Sequence, residues 1–154
     1  MSVEITNQNL VEQLRLAFPE IDDRFEEEVR SWNGDFPGNY NVFAFVFGPY
    51  LKTELAKDNN YDFRIRLCEF MEQVCKSRDK DAINVLWLKV FKQLLADAST
   101  VKSLWPSMGA STKANIADAA LRWGLIRRVP AVGLIRGLQH WAGLELGPGQ
   151  RASS

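Results

Sequence analysis

Chemistry needs polar side chains at set spacings, and the densest supply in this chain is FPEIDDRFEEEVRSW, residues 18–32. Six carboxylates, Glu20, Asp22, Asp23, Glu26, Glu27 and Glu28, stand there against Arg24 and Arg30. A calcium loop of the EF-hand type needs acids at alternate positions, a central glycine and a terminal glutamate. EIDDRFEEE has neither that spacing nor the glycine. A carboxylate pair for acid–base work needs a pocket and a shifted pKa. Consecutive acids around Phe25 instead project in several directions from a helix. Two readings stand beside catalysis. One is a solvated face near the helix's positive end. The other is a docking face for a basic protein, with Glu20, Asp23, Glu26, Glu27 and Glu28 as its carboxylates and Trp32 as an aromatic anchor.

The other reactive side chains are sparse. The only histidine is His140, near the C-terminus, and the two cysteines are Cys68 and Cys75. Seven residues on one helix separate these thiols by about 10 Å along the axis. A disulfide needs Cα atoms within about 7 Å. Buried free thiols in a reducing cytoplasm are therefore expected. No clustered Cys and His set suggests zinc, and neither metal nor cofactor is expected. The chain carries no G-x-S-x-G elbow and no glycine-rich phosphate loop, so no enzyme activity is expected. PSMGASTKANI, 106–116, is more distinctive. Gly109 can end one helix and Ser111 or Thr112 can cap the next. The stretch reads as a structural turn, or as an anion site built from cap N–H groups beside Lys113.

The elements that would hold these residues are almost all helical. Leu10, Leu14 and Phe18 recur four apart and predict a helix near 9–18, with Asn9 and Glu12 as a capping pair. Pro19 opens a second, with Ile21, Phe25, Val29 and Trp32 on its apolar stripe. A third, near 41–57, contains Pro49, which should kink or split it. Asp62 is expected to cap a fourth near 62–77. Asp79 begins a fifth near 79–97, where Ile83, Leu86, Trp87, Val90, Phe91, Leu94 and Leu95 follow helical spacing. Ser99 or Thr100 should cap a sixth, and Ser111 or Thr112 a seventh. The expected fold is all-α, a single domain built as an irregular, HEAT-like stack of antiparallel helical hairpins. Residues 1–126 form the helical domain. Residues 127–154 form a Gly/Arg-rich tail, with one amphipathic helix near 131–143 and a disordered end.

The formal net charge is zero, which gives no electrostatic case for nucleic acid. That zero hides an asymmetry: residues 1–60 carry 5 basic and 11 acidic residues, whereas residues 127–154 carry 4 and 1. An acidic front and a basic rear allow internal pairing or an acidic face for a partner. No apolar run approaches the roughly 18 residues of a membrane span, and MSVEITNQNL lacks the pattern of a secretory signal. A cytoplasmic protein without membrane attachment is expected.

Several short blocks then fall into a pattern. They are Leu14 with Phe18, Pro19 and Glu20; Phe43, Phe47, Tyr50 and Leu51; Phe70, Met71, Glu72 and Gln73; Ser77 and Asp79; and Met108, Gly109 and Thr112. Over about residues 10–120 the chain resembles a family of small, largely uncharacterised bacterial all-helical proteins. Relatives of this kind look like immunity proteins encoded beside polymorphic toxins. The resemblance implies a non-catalytic protein that binds another protein; with the acidic stretch, a basic toxin domain is the expected partner. It carries over no catalytic residue. A helical-repeat scaffold or regulatory module unrelated to toxins is the alternative.

Overall fold

Helical periodicity in the sequence becomes helix almost throughout. The computed structural model describes residues 3–130. Seven helices carry this part of the chain: α1 (Leu10–Ala17), α2 (Asp22–Ser31), α3 (39–55), α4 (Tyr61–Lys76), α5 (80–95), α6 (Ala98–Leu104) and α7 (Ala110–Arg122). Short 3₁₀ turns lie at Pro19–Ile21, Trp105–Ser107 and Ile126–Arg128. The fold is all-α, and no strand occurs among the described residues.

Helices α4 and α5 are central. α4 packs on α1, α5 and α7, and α5 packs on α3, α6 and α7. The two supply much of the core, including Phe63, Leu67, Met71 and Val74 from α4 and Val85, Leu86, Val90, Phe91, Leu94 and Leu95 from α5. Phe18, just beyond α1, anchors an aromatic cluster. Its ring lies 5.1 Å from Phe47, 5.6 Å from Phe63 and 6.1 Å from Phe70. Such tilted and edge-on pairs add to the hydrophobic gain of burying the rings.

Pro49 neither splits nor ends α3. The helix widens into a π turn over Val42–Phe47, where the Gly48 N–H donates to the Phe43 carbonyl, five residues back. A proline lacks an N–H and its ring presses on the preceding turn. A π turn just before it absorbs that mismatch while helical backbone continues on both sides. A second π turn, Trp87–Phe91, lies in α5. Its effect is on register. Extending the Ala82, Val85 and Leu86 stripe at 3.6 residues per turn would bring Lys89 and Gln93 inward. The extra residue per turn seats Val90, Phe91, Leu94 and Leu95 in the core instead. Ile83 and Trp87, expected on the inward stripe, are only half-buried, and Ala82 and Val85 take the core positions.

Helix starts differ from several expectations. Asn9 makes no cap bond to α1; its amide instead braces the preceding turn through the Thr6 N–H and the Glu4 carbonyl. Asp62 lies inside the first turn of α4 rather than at its cap. Asp97, not Ser99 or Thr100, caps α6 through the Ser99 N–H. Asp79 does cap α5, accepting from the Asp81 and Ala82 N–H groups. Its other oxygen accepts from the Asn7 N–H at 2.7 Å, and Asn39 donates to the Asn7 carbonyl, so the N-terminal segment ties α3 to α5. Packing continues past residue 126. Val129 is buried, and Arg128 donates to the carbonyls of Leu95 and Ala96 at 2.6 and 3.0 Å. The helix expected near 131–143, His140 and the end of the chain lie outside the described residues.

Candidate functional site

The acidic stretch forms the 3₁₀ turn and α2. Pro19 opens the turn, Asp22 and Asp23 lie in the first turn of the helix, and Arg30 lies in the last, an arrangement that suits the helix dipole. Ile21 is buried, as its stripe predicts, whereas Phe25 and Val29 are half-buried and α2 itself buries no residue fully. α2 rests on the π segment of α3. Its outer side faces solvent.

The six acids divide into two groups. Glu20 accepts from the Tyr50 hydroxyl at 2.6 Å and from Arg66 Nη1 at 3.0 Å. Arg66 also reaches the Ala17 carbonyl and Asp62, so Glu20 joins three elements. Burial, reinforced by the hydrogen bond to Glu20, pushes the Tyr50 hydroxyl well above the usual tyrosine range. Asp22 pairs with Arg15 at 2.8 Å, and the Arg15 guanidinium stacks over Phe25 at 4.2 Å. Glu28 accepts from the Trp32 indole N–H at 3.0 Å. Asp23, Glu26 and Glu27 are different: all three are exposed and none has a hydrogen-bond or ion-pair partner among the described residues. They share one face of α2, with Arg30 at its far end.

Trp32 does not continue the apolar stripe inward. It is 43% exposed, held on the surface by Glu28. The chain reverses there through Asn33 and Gly34, both at positive φ, with the Gly34 N–H donating to the Val29 carbonyl. This left-handed helix end leaves Phe36 57% exposed as well. Helical spacing put Trp32 on the inner stripe, but the helix stops before its ring can turn in.

At 106–116 the predicted anion position is filled by the chain's own carboxylate. Glu72, on α4, accepts from the Thr112 N–H and hydroxyl, both at 2.8 Å, and from the Ser111 N–H at 3.3 Å. It caps α7 from 40 residues away. Gly109 lies so close that a Cβ there would overlap the Glu72 side chain. The expected cap at Ser111 or Thr112 does not form: Gly109 takes the cap position, Ser111 and Thr112 lie inside the first turn of α7, and the distant Glu72 accepts from their N–H groups instead. Gly109 has an ordinary φ of −75°, so the glycine serves the close approach of Glu72 rather than a left-handed turn.

Cys68 and Cys75 are free and buried, and burial pushes their thiols up to about 11 and about 12, against thiolate formation. No group of three or more metal-ligating side chains occurs among the described residues. None of their helices is long and apolar enough to cross a membrane. An open groove of about 810 Å³ lies between α3 and the end of α5, with Lys52 and Asp97 among its lining residues.

Most of the polar motif residues therefore serve as long-range stitches: Glu20 to Tyr50 and Arg66, Glu72 to Thr112, Asp79 to Asn7. No curated protein and no solved structure matches the chain. Residues 11–124 match the model of a protein family described as a domain of unknown function, DUF7674. That match runs from the second residue of α1 to the glycine that ends α7, and the chain belongs to the DUF7674 family.

Proposed function

We propose that this chain is a non-catalytic protein-binding module that docks a basic protein through the outer side of α2, and that it acts in the cytoplasm as an immunity-type protein. The partner in this reading is a toxin. Neutralisation is steric: a preformed helical surface covers the toxin's active cleft. One observation carries the reading. Asp23, Glu26 and Glu27 are exposed carboxylates without partners among the described residues, and the rings of Trp32 and Phe36, at and beyond the C-terminal end of α2, are exposed as well. The other three acids are committed to Tyr50, Arg66, Arg15 and Trp32. Glu20 and Glu28 therefore support the surface more than they present charge. Exposed carboxylates steer a basic partner and discriminate against acidic ones, while aromatic anchors slow dissociation. Toxin domains that act on nucleic acid are commonly basic, because they must meet phosphates.

A growth assay tests this. The product of the reading frame beside this one is induced in a bacterium, alone and with this chain. Arrest by the neighbour, relief by this chain and loss of relief on Asp23, Glu26 and Glu27→Lys together are the expected results. A harmless neighbour removes the toxin reading. Full relief by the triple variant removes α2 as the docking face.

A further inference from the structure

A concavity of about 530 Å³ lies where α4 begins and α6 ends, and no residue of α2 lines it. Its volume falls in the range of small-molecule sites, roughly 300–1,000 Å³. The turn between α3 and α4 supplies Asp58, the first two turns of α4 supply Tyr61, Arg64 and Ile65, and α6 supplies Ser103 and Leu104. Tyr61 and Ile65 stand one helical turn apart with Arg64 between them, so the three share a side of α4. Tyr61 is 67% exposed and Ile65 51%, which leaves apolar surface open along the concavity. The turn that carries Asp58 is braced. Asn59 takes a positive φ, the Asn60 amide donates to the Glu54 side chain and carbonyl, and the Tyr61 hydroxyl donates to the Asn59 side chain. A wall fixed in advance lowers the entropic cost of binding. Arg64 is half-buried, with Nη1 donating to the Ser103 hydroxyl at 2.7 Å and Nη2 to the Leu55 carbonyl at 3.4 Å. Both acceptors are neutral, and no carboxylate pairs with Arg64 among the described residues. Arg66, two residues on, does hold the carboxylates of Glu20 and Asp62. Asp58 is exposed and likewise unpaired among the described residues. One positive and one negative group thus border the same concavity without meeting. A plain anion would gain Arg64 and face repulsion from Asp58, and a plain cation the reverse. A molecule with both charges satisfies both groups through charge-assisted hydrogen bonds.

We infer that this concavity binds a small zwitterion, an apolar α-amino acid, with its carboxylate on Arg64, its ammonium toward Asp58 and its side chain against Tyr61, Ile65 and Leu104. The site uses none of the α2 carboxylates, so it stands or falls apart from the docking face.

Ligand-observed NMR titrations of the full chain test the inference with probes that differ by one charge. L-leucine and L-phenylalanine carry both charges. Isocaproate is leucine without its ammonium, isoamylamine is leucine without its carboxylate, and inorganic phosphate is a plain anion. At least one of the two amino acids should saturate the chain with a Kd of about 1 mM or tighter. Where leucine binds, loss of either charged group should weaken binding about tenfold or more, the scale of one charge-assisted hydrogen bond. Asp58→Asn changes an exposed, unpaired side chain, so circular dichroism should show the fold intact. This variant should weaken the amino acid by the same factor and leave isocaproate unchanged. Arg64→Gln should weaken both, but it also removes the bond to Ser103, so Asp58→Asn and the probes on the native chain decide the matter. No saturable signal from either amino acid would overturn the inference. So would phosphate or isocaproate binding as tightly as the amino acid, which marks a plain anion site, or an amino-acid affinity that Asp58→Asn leaves unmoved.

Discussion

At the scale of single residues, Glu72 is held between opposing influences. Burial pushes its carboxyl up, while hydrogen bonds from the Thr112 backbone and hydroxyl and from the Ser111 backbone, with the charge of Lys76, outweigh burial and leave it below the usual range. A lowered folded-state pKa means stability that is fully present above the unfolded-state value and is lost as pH falls through the folded-state value. Glu72→Gln should therefore flatten the fall of melting temperature with pH below the ordinary glutamate range. Glu72→Ala should cost about 1–3 kcal/mol in urea unfolding, because it strips acceptors from part-buried donors. Gly109→Ala should cost a similar amount, since its Cβ displaces the same carboxylate. The two changes together should cost much less than their sum, the signature of one shared contact in a double-mutant cycle. Full additivity would separate Gly109 from Glu72. None of this pairing was legible in the sequence. Glu20 and Glu72 sit in helices among other acids, and their partners lie 30 and 40 residues away, beyond any local spacing rule.

At the scale of elements, periodicity carried the reading well where a helix packs on one side and stays regular. Leu86, Val90, Phe91 and Leu94 are each no more than 1% exposed, as the α5 pattern predicts. Phe91→Ala should cost about 3–5 kcal/mol by chemical denaturation; a loss under about 1 kcal/mol would mean that the site collapses around the vacancy. What periodicity hid were the π turns. A 3.6-residue ruler averages over an added residue and assigns Ile83 and Trp87 the places that Ala82 and Val85 take. α2 shows the opposite case. Ile21, Phe25 and Val29 do form a stripe, but α2 lies at the surface, so Phe25 and Val29 stay half-covered. Exposed charges contribute little to stability. Changing Asp23, Glu26 and Glu27 to Lys should leave the thermal melt nearly unmoved, and a clear drop would show hidden intramolecular pairing.

At the scale of the whole molecule, an all-α chain with an acidic front and a basic rear was legible from composition and spacing. That packing continues past residue 126 was not, because Arg128 and Val129 look like the start of a Gly/Arg-rich tail. Their contacts set a contrast between two truncations. A chain ending at Pro130 should melt cooperatively. One ending at Ile126 should be less stable by roughly 1.5–3 kcal/mol, the scale of exposing one buried aliphatic side chain. Equal stability of the two would show that Val129 and Arg128 contribute nothing. The front of the molecule carries the functional claim, and electrostatic steering makes it measurable. Opposite charges on two surfaces raise the association rate, and salt screens that gain over about 8–10 Å at physiological strength. The decisive measurement is the association rate with the toxin found by growth arrest, followed across a salt series for the native chain and for the variant with Asp23, Glu26 and Glu27 changed to Lys. The account predicts a rate that falls steeply with salt for the native chain, and a slower rate with a flattened salt slope for the variant. An unchanged rate and slope in the variant would contradict it and leave α2 as only the solvated side of a helix.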